Sequence, residues 1–321
     1  MNFNINQGVL LDRDTLSIDD LDFGRLKGTL AEWKMYPLTS PDEVADRVAK
    51  AEVVVSNKVV LTREVLEAAS RLKLICVAAT GTNNIDLQAA KELGIPVTNA
   101  RSYGTASVVQ HVFSLILALT TRLPEHQQAA MNGTWAQSPM FCVFDFPFRE
   151  LAGKTLGIVG YGELGRGVER IARAFDMEVV IAQRPGGDER AGRLPLDELL
   201  RRSDVVSLHV PLADNTHNLI GERELGLMKP DALLINTARG GIIEEAALVA
   251  ALKRGNLGGA GFDVLTAEPP GIGNPLLDYA DSNLILTPHV AWAGREARQR
   301  LVDQVADIIE AFKRGELVNP V

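Results

Sequence analysis

Gly157-Ile158-Val159-Gly160-Tyr161-Gly162-Glu163-Leu164-Gly165 lies at the middle of a 321-residue chain, and its reading decides the fold. The residues before Gly160 form a run of strand type, and a helical pattern opens at Gly165, so Gly160-x-Gly162-x-x-Gly165 occupies a strand–turn–helix. In that setting the glycines permit a tight turn and a close approach of backbone N–H groups to a pyrophosphate. The helix N-terminus adds the positive end of its dipole. The stretch predicts a dinucleotide site with Gly160, Gly162, Glu163, Leu164 and Gly165 against the cofactor. About half of the chain precedes it, so another folding unit must come before the cofactor site.

Working outward, residues 155–160, 178–183, 204–209, 232–236, 258–263 and 283–287 read as successive strands. Helical patterns at 165–175, 195–201 and 244–254 separate several of them, and 294–314 is a strongly amphipathic helix. Upstream, candidate strands at 29–34, 52–56, 74–78 and 96–99 alternate with helical patterns at 42–50 and 62–69. Such alternation means parallel strands joined by crossover helices. The predicted architecture is α/β: a Rossmann-type doubly wound parallel sheet at 101–289 for the cofactor, and a smaller flavodoxin-like α/β substrate domain built from 1–100 and 290–321. A long helix is predicted from Thr105 to about Arg122, with Val108, His111, Val112, Leu115 and Leu119 on one stripe and Pro124 ending or interrupting it. Residues 133–148 carry Trp135, Phe141, Phe144, Phe146 and Phe148 without periodicity, and read as an ordered loop packed on a second subunit or on the mouth of the site.

Composition excludes several classes. Hydrophobic residues make up 46% and charged residues 23%, enough to bury a full core. With 33 basic and 41 acidic residues the net charge is −8, which argues against nucleic acid or an anionic membrane as the main partner. Cys76, inside the apolar run 74–78, reads as a small buried hydrophobe. Neither Cys76 nor Cys142 pairs with a His at ligand spacing, so no metal site is predicted. The first seven residues lack the basic and apolar segments of a signal peptide. The longest apolar run, 112–119, falls far short of the ~20 residues of a membrane span. A cytoplasmic protein is expected.

The residue that reads the adenosine ribose should end the second strand of the cofactor sheet. That position is Gln183, eighteen residues after Gly165, followed by Arg184. A carboxylate there would bind the ribose 2′-OH of NAD and repel the 2′-phosphate of NADP. A neutral amide followed by a cation predicts that NADP is accepted and preferred over NAD. Arg239, Glu268 and His289 each lie just beyond a later strand. Ligands of an open α/β sheet bind beyond the carboxyl ends of its strands, so the three can converge on one crevice.

Asn236-Thr237-Ala238-Arg239-Gly240-Gly241, Asp263-Val264-x-x-x-Glu268-Pro269 and Thr287-Pro288-His289 resemble the Arg, Glu and His motifs of the D-isomer-specific 2-hydroxyacid dehydrogenases. The fingerprint and Leu208-His209-Val210-Pro211-Leu212-x-x-x-Thr216 are similar to that family too. So is Ala78-Ala79-Thr80-Gly81-Thr82-Asn83-Asn84-Ile85-Asp86, which resembles its substrate loop. The resemblance covers essentially the whole chain, and is nearest to the glycerate dehydrogenase and hydroxypyruvate (glyoxylate) reductase branch. Gln110, in Val108-Val109-Gln110-His111, stands where the family usually has Glu.

The resemblance implies reversible hydride transfer between NAD(P) and C2 of a small 2-oxo acid, giving a D-2-hydroxy acid. Arg239 would hold the substrate carboxylate and carbonyl oxygen with its planar fork. Backbone N–H groups from Val77 through Gly81, beside the small Ala78 and Ala79, would hold the carboxylate's other side. His289 would donate the proton, with Glu268 favouring the charged imidazole. Thr105, His209, Pro211 and Thr216 are assigned by the resemblance to the phosphates and adenosine, and Thr237, Ala238 and Asp263 to the nicotinamide. Met140, Phe141 and Trp292 are candidates to narrow the substrate pocket, or else packing residues. A homodimer is implied, with the 105–122 helix and the aromatic loop as contacts. D-lactate or phosphoglycerate dehydrogenase stays open as an alternative, as does a non-catalytic, nucleotide-sensing corepressor.

Overall fold

The computed structural model describes residues 4–184, 186–187 and 190–321. The chain forms two compact units, one of Met1–Gly104 with Ala293–Val321, the other of Thr105–Trp292.

The first unit holds five strands, β1 (Gln7–Leu10), β2 (Glu32–Met35), β3 (Val53–Ser56), β4 (Leu74–Val77) and β5 (Val97–Asn99). All pair in parallel, in the order β2-β1-β3-β4-β5, which is the flavodoxin-like order with its reversal between β1 and β3. β3 and β4 are buried at every residue, which is why their sequences are unbroken apolar runs instead of alternating ones. The helix Arg295–Lys313 belongs to this unit and buries Leu301, Val302, Val305, Ile308, Ile309 and Phe312. Arg298 ties it down, donating from Nη1 and Nη2 to the Asp20 carboxylate at 2.8 and 2.5 Å.

Two readings need correction here. β1 escaped the sequence analysis because its apolar run is four residues long, flanked by Asn and Gln before and by Asp and Arg after. The strand predicted at 29–34 begins three residues later, at Glu32. Thr29 looks strand-like because it is β-branched, but its hydroxyl donates to Leu26 O at 2.7 Å at the end of the helix Gly24–Gly28.

The second unit holds β6 (Thr155–Val159), β7 (Glu178–Ile181), β8 (Val205–Leu208), β9 (Leu233–Asn236), β10 (Gly259–Phe262) and β11 (Leu284–Leu286). They form one parallel sheet in the order β11-β10-β9-β8-β6-β7. A parallel bridge between Ala182 and Leu194 adds a further stub beyond β7. Each strand read from the sequence is present here, shortened by a residue or two. The order reverses between β6 and β8, so the crevice outside their carboxyl ends is where a nucleotide binds in such a sheet.

The helix Thr105–Thr120 buries Val108, Val112, Leu115 and Leu119 against β9 and β10. It stops short of the predicted end, and Arg122 takes a left-handed φ of 55°. Pro124 opens the next helix, Leu123–Met131, in the first turn, where a missing N–H costs nothing. The aromatic stretch that follows has neither helix nor strand. Trp135 Nε1 donates to Phe141 O at 2.8 Å, and the His126 ring meets Phe146 and Phe148 edge-on. Among the described residues no single helix is long and apolar enough to cross a membrane.

Candidate active site

The glycine turn divides its work among three positions. Gly160 has φ +97°, and a Cβ there would run into the backbone of His209. A Cβ on Gly165 would strike the Gly160 carbonyl and crowd Ile158 Cγ2 at 3.1 Å, so this glycine lets the helix Glu163–Ala174 seat against β6. Gly162 differs from both, because a Cβ there would meet nothing within 4 Å. Neither a positive φ nor a protein contact calls for glycine at 162. A close-approaching pyrophosphate at the helix N-terminus does. Thr105 Oγ1 donates to the Glu163 carboxylate, tying the start of the long helix to this turn.

Two buried polar atoms at the same edge of the sheet have no hydrogen-bond partner among the described residues. They are Nδ1 of His209, after β8, and Oγ1 of Thr237, after β9. Buried groups of this kind are normally satisfied, so each points to a ligand or water. His209 Nε2 contacts Ser207 Oγ at 2.9 Å, and burial pushes the imidazole down to about 4, which keeps it neutral near pH 7. An open glycine at a helix N-terminus, with two orphaned polar atoms beyond strands of the same sheet, fits a dinucleotide.

The other predicted cofactor residues divide between ligand-facing and scaffold duties. Thr216 is buried, donates to Pro211 O at 2.6 Å and accepts from Ala213 N at 2.8 Å, which folds the loop after His209. Gln183 also works on its own chain. Its Oε1 accepts from Arg190 N at 3.0 Å and its Nε2 donates to Arg190 O at 3.1 Å. Arg184 is exposed, and the Arg193 guanidinium lies 5.6 Å from the centroid of the Tyr161 ring, beside the glycine turn.

Arg239 is aimed by its neighbours. Asn236, nearly fully buried at the end of β9, accepts from Ala238 N at 3.0 Å and donates to Arg239 O at 2.9 Å. Gly240 lies against the backbone of Leu265 and Thr266 so closely that any Cβ would overlap it. That contact joins the Arg239 turn to the loop carrying Glu268. Leu265 N donates back to Glu268 Oε1 at 2.9 Å, and Glu268 Oε2 is 2.5 Å from His289 Nδ1. With Nδ1 engaged by the carboxylate, Nε2 is the atom left to exchange a proton with a ligand.

The His289 turn was legible as a motif, but its support was not. Asp263 is 1% exposed; its Oδ1 accepts from Val290 N at 2.9 Å and its Oδ2 from Ala291 N at 2.8 Å. Trp292 Nε1 donates to His289 O at 3.0 Å, so this side chain supports the turn. Gln110, on the helix Thr105–Thr120, is exposed.

In the first unit, Val77 ends β4, and the loop 78–81 is held by Ala78 N to Ser56 O at 2.8 Å and by Asn99 Nδ2 to Thr80 O at 2.7 Å. The N–H groups of Ala79, Thr80 and Gly81 donate to no group among the described residues. They form a run of available donors suited to an anion.

Residues 113–291 match the family model described as "D-isomer specific 2-hydroxyacid dehydrogenase, NAD binding domain". The chain is 45% identical to a glycerate dehydrogenase of Methylorubrum extorquens over 314 residues, 98% of each chain. It is 39% identical to a hydroxypyruvate reductase of Blautia hydrogenotrophica, again over 98% of each. Among solved structures, an NADPH-dependent glyoxylate/hydroxypyruvate reductase from Sinorhizobium meliloti, in complex with NADP and malonate, superposes with a TM-score of 0.82 at 26% identity, covering 99% of this chain and 97% of that one.

Proposed function

The chain belongs to the D-isomer specific 2-hydroxyacid dehydrogenase family, and from that premise we propose that it reduces a small 2-oxo acid of the hydroxypyruvate/glyoxylate type to the D-2-hydroxy acid. The observation that carries this reading is the Glu268–His289 contact at 2.5 Å beside the Arg239 turn. A site that only sensed a nucleotide would need no such pair. We assign the cofactor, and the Arg239, Glu268 and His289 side chains that act on the substrate, to the second unit.

Gly160, Gly162, Gly165 and the N-terminus of the helix Glu163–Ala174 would hold the pyrophosphate, with His209 and Thr237 beyond the ends of the adjoining strands β8 and β9. The nicotinamide, when bound, supplies or accepts the hydride at C2. Arg239 binds the substrate carboxylate and carbonyl oxygen through its fork of donors. His289 gives a proton from Nε2 to the carbonyl oxygen as negative charge develops there, and takes it back in the oxidative direction. Glu268 holds Nδ1–H, which fixes the ring's orientation and tautomer. In the first unit, the run of N–H donors at 79–81 suits an anion.

We further propose NADP(H) as the preferred cofactor. The reading rests on the missing carboxylate at 183 and on Arg184, Arg190 and Arg193 in the segment after β7, a setting that suits a 2′-phosphate. A cytoplasmic homodimer belongs to the same proposal. Its support is the exposure of Met131 (83%), Trp135 (54%), Phe141 (91%) and Phe144 (73%) on one stretch of chain, an apolar surface of the kind that mates with another subunit.

Turnover of hydroxypyruvate, glyoxylate and pyruvate with NADPH and with NADH tests these points together. Reduction of the first two, at higher kcat/KM with NADPH, is the expected outcome. Absence of turnover with every 2-oxo acid tried would return the protein to the nucleotide-sensing class, and a large preference for NADH would sink the cofactor assignment.

A further inference from the structure

Given His289 as the proton donor, we infer that His111, on the helix Thr105–Thr120, is a positioning residue for it, acting through Thr287 and Asp263. His289 has φ +55°, a left-handed conformation that a residue with a Cβ adopts only when its surroundings impose it. Those surroundings centre on Asp263. Its carbonyl accepts His289 N at 2.8 Å, and its carboxylate takes the N–H groups of Val290 and Ala291 at 2.9 and 2.8 Å. The Asp263 side chain therefore dictates where the His289 turn goes, and whatever orients that carboxylate orients the acid.

Thr287 donates its hydroxyl to Asp263 Oδ1 at 2.5 Å, and His111 Nε2 lies 2.9 Å from Thr287 Oγ1 and 3.6 Å from Asp263 Oδ1. A hydroxyl carries one proton. Here it is engaged by the carboxylate, so Nε2 of His111 must be the donor to Thr287 Oγ1. The opposite tautomer would leave a lone pair facing both a hydroxyl oxygen and a carboxylate oxygen. The hydrogen bonds thus run one way, from the helix through His111 and Thr287 to Asp263, and onto the turn that presents His289. None of the proposed chemistry touches His111, yet it has one face of that turn's support in hand.

His111→Leu and Thr287→Val each remove a link without adding a polar group. Each is expected to lower kcat for oxo-acid reduction by about 10–100-fold through misplacement of the acid, with cofactor Kd within about twofold of the parent. The double variant is expected to be no worse than the more damaged single one, because both break the same chain of bonds. His111→Gln, which keeps an N–H donor, should recover most of the loss. Hydrogen exchange at Val290 and Ala291 should quicken in both single variants while amides of the helix Thr105–Thr120 stay protected. A fully active His111→Leu overturns the inference, as do multiplicative losses in the double variant or unchanged exchange at 290–291. His289→Gln serves as the control: undiminished turnover there removes the donor assignment itself, whereas a dead His289→Gln beside an active His111→Leu removes only the role of His111.

Discussion

At the scale of single residues the assignment stands or falls on His289 and Glu268. His289→Gln retains the polar character of the site but no transferable proton, and reduction is expected to fall ~10²–10⁴-fold while cofactor titration by fluorescence remains unchanged. Glu268→Gln keeps an oxygen for Nδ1 and removes the charge. Without the carboxylate the His289 ring loses the partner that orients it, so kcat for oxo-acid reduction should fall ~10-fold or more at unchanged cofactor affinity, and a parent-like kcat would count against the pairing. His209 gives a prediction of a different kind, because burial holds its imidazole at about 4 in the fold against an ordinary 6.5. Below pH 6.5 the unfolded chain takes up a proton that the folded one refuses until about 4, so stability is lost as pH falls through that window. Allowing for its partial exposure, His209→Gln should remove roughly 1–2 kcal/mol of that loss between pH 7.5 and 5 in denaturant titrations. An unaltered pH dependence would show that the ring is not desolvated. The polar residues at this scale were legible by type, since Arg239, Glu268 and His289 follow strands. Gln183 was only half legible: its missing charge shows in the sequence, but its bonds to Arg190 depend on how the following segment folds back.

The strand–turn–helix around the fingerprint makes the clearest test at the scale of elements. Gly162→Ala adds a methyl that meets no protein atom, so the melting temperature should shift by no more than about 2 °C while cofactor affinity falls. Gly165→Ala drives the methyl into the Gly160 carbonyl and should cost about 1–3 kcal/mol of stability. Equal thermal effects from the two substitutions would mean that the middle glycine is not there for a ligand. In the second unit the strands and the helices Thr105–Thr120, Glu163–Ala174, Leu196–Arg202 and Glu245–Lys253 were readable from their apolar patterns, whereas the short helices Leu123–Met131 and Glu222–Leu225 were not. Elements of the first unit were harder. β1 is a four-residue run, and the strand-like Thr29 serves as a helix stop, a role set by one hydroxyl finding one carbonyl.

For the whole molecule, the exposed aromatic stretch carries the proposed homodimer. Replacing Trp135 and Phe141 together with Ser is expected to yield a monomer in sedimentation velocity without loss of secondary structure, and a dimer that survives would move the interface elsewhere. The division of the chain into two units was foreseeable from one fact, that the fingerprint begins after half of the sequence. By itself the sequence determined the two parallel sheets, the dinucleotide turn and the candidates proposed as reacting side chains, because periodicity, glycine spacing and residue chemistry are local properties that survive in one dimension. Only the tertiary structure decided which atoms face which: that Gly240 locks the Arg239 turn to the Glu268 loop, that Asp263 gathers the amides of Val290 and Ala291, and that His111 reaches Thr287 across 176 residues of sequence. Those contacts join segments distant in the chain, and their geometry is set by how strands and helices pack, which no single segment encodes.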